Sequence, residues 1–196
     1  MRKSVTIWLP LLVLWSSCDL FTTRDPESPT EPSSSFVPPV LDSIVFENLV
    51  NSVRELNTEN YLRSFADSST SGQSFRFEPT TQATSRYGGV FLGWTRQSEG
   101  RYFMAMKSKI VSGGTAILEF PTRTLQSRQV KSSQYNATYL LTAQHTQTNI
   151  AKQVRGQSQF YLITDQSGNW VIWRWVDIAQ SSSDSAWSDL KGGFGQ

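Results

Sequence analysis

Charge is scarce in this 196-residue chain. Asp, Glu, Lys and Arg together make up 17% of it, against ~25% in an ordinary soluble protein. One cysteine and one histidine exclude a disulfide framework and a zinc-type ligand cluster. The formal net charge of +2 disappears once Arg2 and Lys3 are set aside with the leader-like segment they open, leaving 16 bases and 16 acids. A neutral chain has little field to draw in phosphate backbones, so nucleic acid is not an expected partner. No G-x-S-x-G, H-E-x-x-H, P-loop or dinucleotide fingerprint occurs, and no cofactor is expected. What the chain has in excess is neutral hydroxyl, with 28 Ser and 18 Thr, and aromatic side chains at 12%.

The first eighteen residues place a basic start, Arg2 and Lys3, before an apolar core from Val5 to Trp15. That core falls short of the ~20 apolar residues that cross a bilayer and reads as a secretory signal. Its end, Leu14-Trp15-Ser16-Ser17-Cys18, resembles a bacterial lipobox, with Trp15 where the pattern prefers Leu. The resemblance implies residues 1–17 as signal peptide and a diacylglyceryl thioether on Cys18, giving a membrane-anchored, extracytoplasmic protein of the cell envelope. A plain signal peptide releasing a soluble protein is the alternative. Two observations favour the anchor: Cys18 is the only thiol, and residues 22–40 look like a tether, with five of the eight prolines. Residues 18–39 are thus expected to be a disordered tether, and the proline-rich run 22–40 could reach about 60 Å when extended.

Order is expected from Val40. Apolar residues at 41, 44, 45, 49, 53 and 56 recur with helical period, and a second helix follows from Asn57 or Thr58 with Tyr61, Leu62 and Phe65 inward. Phe75 and Phe77 alternate in a short strand that Pro79 stops, and residues 80–93 read as loop. A third helix is expected from Thr95 to Lys107, although Gly100 weakens it. Strands are expected at 115–125, 130–145, 152–164 and 169–178, the last two joined by the turn Asp165-Gln166-Ser167-Gly168-Asn169. Short connections make these four antiparallel. In the final strand, Val171, Trp173 and Trp175 are expected on one face. Helices followed by a curved antiparallel sheet make an α+β domain over 40–178, with 179–196 as a C-terminal tail.

Two abutting helices ending in ENYLRSFAD, the strand FRFEP, a third helix and a meander closing on WVIWRWVDI resemble the NTF2-like (SnoaL-like, cystatin-type cone) superfamily. The run from Cys18 to Glu27 and the ending Ala186-Trp187-Ser188-Asp189-Leu190-Lys191-Gly192 also resemble a set of bacterial lipoproteins with a C-D-(F/L)-F-x-T-R-x-P-E start and an S-W-S-D-L-K-G ending. That second likeness brings no activity. The first implies a cone between sheet and helices, in which members place a few polar groups, and leaves a homodimer through the sheet open.

Candidates for chemistry are sparse. His145 reads either as a general base or as an exposed histidine near a strand end. Asp67 reads as an acid at the cone or as a loop-forming residue, and Asp177 as a cone acid or a structural ion pair with Arg174 or a neighbour. The candidate pocket lining is aromatic: Tyr61, Phe65, Trp94, Tyr102, Tyr139, Trp173 and Trp175, equally able to fill a solid core. Trp187, alone in a Ser-rich tail, should dock back on the domain or on a partner. Residues 19–67 carry a net −6 and residues 68–196 a net +6, which suits a charged partner or internal complementarity.

The reading is a lipid-anchored envelope protein with a non-catalytic domain that binds an apolar small molecule or an envelope protein. The alternative is a small lyase or isomerase using Asp67, His145 or Asp177. The anchor is directly testable: Cys18→Ser should accumulate as unprocessed precursor without lipid label in a producing bacterium. An unmodified Cys18 in the intact mass of the mature wild-type chain would exclude it. Firm attachment also requires two or more acyl chains, because one holds only marginally at ~0.8 kcal/mol per buried CH₂.

Overall fold

The computed structural model describes residues 34–181 and 184–196, so the expected signal peptide, Cys18 and most of the expected tether lie outside the described residues. In chain order the elements are α1 (Asp42–Arg54), α2 (Thr58–Arg63), α3 (Ser68–Ser71), β1 (Arg76–Glu78), α4 (Thr81–Tyr87), α5 (Arg96–Ser108), β2 (Ala116–Arg128), β3 (Ser132–Ala143), β4 (Gln153–Thr164), β5 (Trp170–Ile178) and α6 (Trp187–Phe194). A 3₁₀ turn, Gly88–Phe91, follows α4.

Helix α1 buries Val45, Phe46, Leu49 and Val53 on one stripe, as the period predicts. Leu56 adopts a φ of +50° where the chain turns into α2, and the Asn57 side chain caps α2 by accepting from Asn60 N at 3.1 Å. In α5, Thr95 and Ser98 form the reciprocal capping pair. Gly100, a weak helix former, is there because of contact: a Cβ would meet Leu62 Cδ1 at 3.1 Å, so the glycine lets α5 approach α2. Two stretches that carry no helical period, 67–74 and the expected loop 80–93, are partly helical. α3 is one turn capped by Asp67, and α4 is capped by Thr80 Oγ1, which accepts from Ala83 N at 3.1 Å.

The sheet runs β1-β5-β4-β3-β2. Strands β2 to β5 form the expected antiparallel meander, whereas β1 pairs with β5 in parallel, Phe77 lying opposite Trp175. The sheet is therefore mixed, because β1 reaches its partner across the whole meander instead of through a hairpin. Tyr135, Ala137, Tyr139 and Leu141 line the inner face of β3 as expected, with Tyr135 opposite Phe160 and Leu141 opposite Val154 of β4. Gly156 stands opposite Tyr139, and a Cβ there would collide with the tyrosine hydroxyl.

One expectation about faces fails at a bulge. Tyr161 pairs with Arg174 but Leu162 pairs with Ile172, so Trp173 is an extra residue in β5. The bulge resets the alternation: Ile172 and Trp175 are both fully buried, while Trp173 is half-buried on the outer face, its ring 6.2 Å from that of Tyr161. Trp173 thus parts from Trp175.

The packed domain also extends past both expected boundaries. The segment read as a C-terminal tail contains α6, whose Trp187, Leu190 and Lys191 are at most 1% exposed. At the other end, residues 34–39 pack onto the helices. Val37 N donates to Asn48 Oδ1 at 3.0 Å, Asn48 Nδ2 donates back to Val37 O at 2.7 Å, Trp170 N donates to Pro39 O at 2.8 Å, and Arg63 lies 3.6 Å over the Phe36 ring. The charge asymmetry is used internally in part, through Asp42–Arg128 and Asp67–Arg96.

A chain starting at Val40 should accordingly be less stable than one starting at Ser34. It loses the paired hydrogen bonds between Val37 and Asn48 and the one from Trp170 to Pro39, each worth about 1 kcal/mol net. Urea midpoints of the two chains measure this, and coincident midpoints would show that the segment holds nothing.

Candidate functional site

Six of the seven candidate lining residues converge. Tyr61, Phe65, Trp94, Tyr102, Tyr139 and Trp175 belong to one buried cluster, with Trp173 outside it on the far face. The rings touch one another: Tyr61 stacks on Phe103 at 4.2 Å, Trp175 meets Phe160 at 5.0 Å and Phe77 at 5.3 Å, and Trp187 of α6 stands edge-on to Trp175 at 4.6 Å.

Two polar nodes sit among these rings. In the first, Glu99 of α5 and Lys191 of α6 form an ion pair at 2.5 Å in which both side chains are 0% exposed. Glu99 Oε1 also accepts from Trp94 Nε1 at 2.7 Å, and Oε2 accepts from Tyr61 OH at 2.9 Å. The Lys191 ammonium lies 3.6 Å above the ring centres of both Phe77 and Trp175, with Trp94, Tyr102 and Trp187 about 6 Å away. In the second node, Asp177 of β5 accepts from Tyr139 OH at 2.7 Å and from Ser188 N at 2.7 Å and Oγ at 2.5 Å. Trp187 N donates to Tyr139 OH at 2.7 Å, and Trp187 Nε1 donates to Tyr102 OH at 3.0 Å. Helix α6 therefore contributes to both nodes.

Burial dominates the electrostatics. Loss of water pulls the Lys191 ammonium down to about 8, with Glu99 opposing the fall. Burial raises the Asp177 carboxyl, against the hydrogen bonds from Ser188 and Tyr139. It also raises the hydroxyls of Tyr61 and Tyr139, and the Glu99 and Asp177 charges push in the same direction.

The candidate acid–base residues do not meet. Asp67 caps α3 at the surface and pairs with Arg96 at 3.4 Å; hydrogen bonds from Ser69 hold its carboxyl below the usual range. His145 is fully buried instead of exposed. It sits at a bridge to Ile110, with Nε2 3.2 Å from Ala151 O and its ring 5.1 Å from that of Phe194. Asp177 does not pair with Arg174, which binds Glu78 bidentately at 2.6 and 2.9 Å. Three residues apart on a strand, the two side chains point to opposite faces. Among the described residues no group of three His, Cys, Asp or Glu could hold a metal ion.

The aromatic lining expected from the sequence does not include Glu99 and Lys191. Their signal was positional. Glu99 occupies the same helical stripe as Tyr102, Phe103 and Met106, and Lys191 the same stripe as Trp187, Leu190 and Phe194. Clefts open elsewhere: one of about 440 Å³ between α1 and β2, beside Arg54, Glu119 and Arg123, and one of about 320 Å³ beside Arg63, Asp67, Arg96 and Asp165.

Removing one member of the buried pair leaves the other charge stranded. Lys191→Met should cost about 3–5 kcal/mol at pH 7, and Lys191→Met/Glu99→Gln should recover most of it. The unfolded chain keeps its Lys191 proton up to ~10.4, while the folded chain releases it at about 8. The unfolded state thus binds more protons in that window, and wild-type stability relative to the double variant should rise with pH by up to about 3 kcal/mol. Urea unfolding from pH 7 to 10.5 measures this, and a flat difference would show that Lys191 keeps its ordinary proton affinity.

No protein-family profile matches the chain, and no curated protein sequence matches it either. Solved structures do. A protein from Novosphingobium aromaticivorans named as an aromatic ring hydroxylase superposes with a TM-score of 0.54 at 10% identity, covering 76% of this chain and 92% of that one. One from the same organism named as a scytalone dehydratase superposes at 0.52 with 7% identity, covering 69% and 78%. A Salmonella enterica protein of the nuclear transport factor 2 (NTF2-like) superfamily gives 0.49 at 8% identity, covering 71% and 88%. At these identities the likeness is one of fold alone: helices packed on a curved, mixed five-stranded sheet.

Proposed function

We propose that the chain is a lipid-anchored, extracytoplasmic protein of the bacterial cell envelope whose cone domain binds or docks a partner and carries out no chemistry. One observation supports the second half of this reading. The interior, where the aromatic lining converges, is occupied by the chain's own Trp187 and Lys191, each 0% exposed. A substrate would need α6 out of the way, and the polar groups it would meet are already hydrogen-bonded to one another. The acid–base candidates Asp67, His145 and Asp177 lie on separate elements with separate partners.

The runner-up is a small lyase or isomerase acting on an apolar molecule. It draws on the hydroxylase and dehydratase names of structural neighbours, which belong to those proteins, and on Asp177 and Tyr139 sharing a buried hydrogen bond. In that reading the interior is open part of the time and takes an apolar small molecule.

Tryptophan fluorescence titrated with 1-anilinonaphthalene-8-sulfonate separates the two readings. The wild-type chain should give no saturable change at neutral pH, and Trp187→Ala, which empties a large volume beside Trp175, should gain a one-to-one response. A saturable response in the wild type would reveal an accessible pocket and overturn the filled interior on which the exclusion of chemistry rests.

A further inference from the structure

The buried lysine is the group that packing alone does not explain. An apolar side chain of similar length would fill the same space without desolvating a cation, and buried ion pairs replaced by well-packed apolar residues are commonly no less stable. Here the cation is met by a surround assembled from parts distant in the chain. Phe77 comes from β1 and Trp175 from β5, each 3.6 Å from the ammonium, with Tyr102 of α5 and Trp94 of the preceding loop about 6 Å away. Glu99 closes the remaining side, oriented by Trp94 Nε1 and Tyr61 OH. Ring faces on several sides and one fixed carboxylate make up the chemistry that selects an organic ammonium.

The cation itself comes from a separate kind of element. Helix α6 has eight residues, two of them Gly192 and Gly193, and follows a Ser-rich stretch at 179–185. A helix that short and that rich in glycine does not hold its shape alone, so its form comes from docking. Both glycines serve the docked state: a Cβ on Gly192 would collide with the Tyr87 ring, and one on Gly193 would meet Ile150 Cδ1 at 2.8 Å. Geometrically, α6 is bound to the rest of the domain as a ligand is bound, with Lys191 and Trp187 as its two anchors.

The geometry points to an ammonium-binding site inside the cone, an aromatic cage closed by Glu99, which Lys191 fills in cis and which takes a primary alkylammonium when α6 is displaced. This deepens the binding-module reading and rests on it for the identity of the site. Tethering gives Lys191 a high effective concentration, so free amines do not compete in the wild-type chain. The ammonium can come from a free amine or from a lysyl side chain on a peptide.

The test uses the full chain carrying Lys191→Ala, which leaves a space the size of n-propylammonium. The variant should melt about 10 °C lower than wild type, a stranded buried carboxylate in a domain of this size. Millimolar n-propylammonium chloride should restore half or more of that loss. 1-Propanol should restore little, and neither should move the wild type beyond a sodium chloride control. Adding Glu99→Gln should abolish the preference for the amine. A peptide of residues 184–196 that restores the variant at lower concentration than the amine would assign the site to lysyl segments, and restoration by the amine alone would assign it to free amines. If Lys191→Ala does not fold unaided, the same series is read as the yield of folded chain on refolding with each additive. Equal restoration by 1-propanol, or none by any additive, overturns the cage. Either result, with a wild type still silent to the fluorescent probe, leaves the sealed-module reading intact.

Discussion

A positive charge held inside a shell of aromatic rings sets the terms for the rest of this structure. Lys191 is tolerable there only because Glu99 neutralises it, and Glu99 only because Trp94 and Tyr61 complete its hydrogen bonds. Those donors must arrive from fixed directions. Trp94 immediately precedes the capping residue of α5, and Tyr61 reaches Glu99 because Gly100 lets α5 lie close against α2. A glycine that lowers helix propensity is therefore part of the route by which a buried carboxylate is satisfied.

The second node ties the same helix to the sheet. Asp177 takes all its hydrogen bonds from β3 and α6, and Tyr139 relays between them by donating to Asp177 while accepting from Trp187 N. Room for the Tyr139 hydroxyl exists because its cross-strand partner is Gly156. Helix α6 is thus held by an ion pair at one end of its buried face and by hydrogen bonds to Asp177 and Tyr139 at the other. The consequence is a cone whose filling is supplied in part by its own α6, through Trp187 and Lys191.

Much of the architecture was legible because it follows from periodicity. The stripe of α1, the alternation of β3 and the Asp165–Asn169 turn each gave an element close to its observed bounds. What failed was information that a periodic pattern does not carry. The bulge at Trp173 shifts the phase of β5 by one residue, and nothing in WVIWRWVDI marks which residue is extra. The partner of β1 is non-local, so its parallel pairing left no mark nearby. Helix α6 was hidden by its glycines and serines, which read as tail until the surfaces they pack against are known. At the site, the aromatic members were legible as large inward residues. Glu99 and Lys191 were not, because a charged residue on an apolar stripe is ordinarily read as a break in the stripe.

The two outer strands of the sheet bear on solubility. β1 is three residues long and ends at Pro79, so it offers almost no ladder to an incoming strand. β2 is long, but register shifts interrupt it between Glu119 and Thr122 and between Leu125 and Ser127, and Pro121 lies within the first. Its solvent-facing run also carries Arg123 and Arg128. Neither margin presents the flat, uninterrupted row of donors and acceptors on which cross-β stacking propagates. A sheet with twelve- and thirteen-residue strands is in this way guarded against fibril growth by the irregularities at its borders.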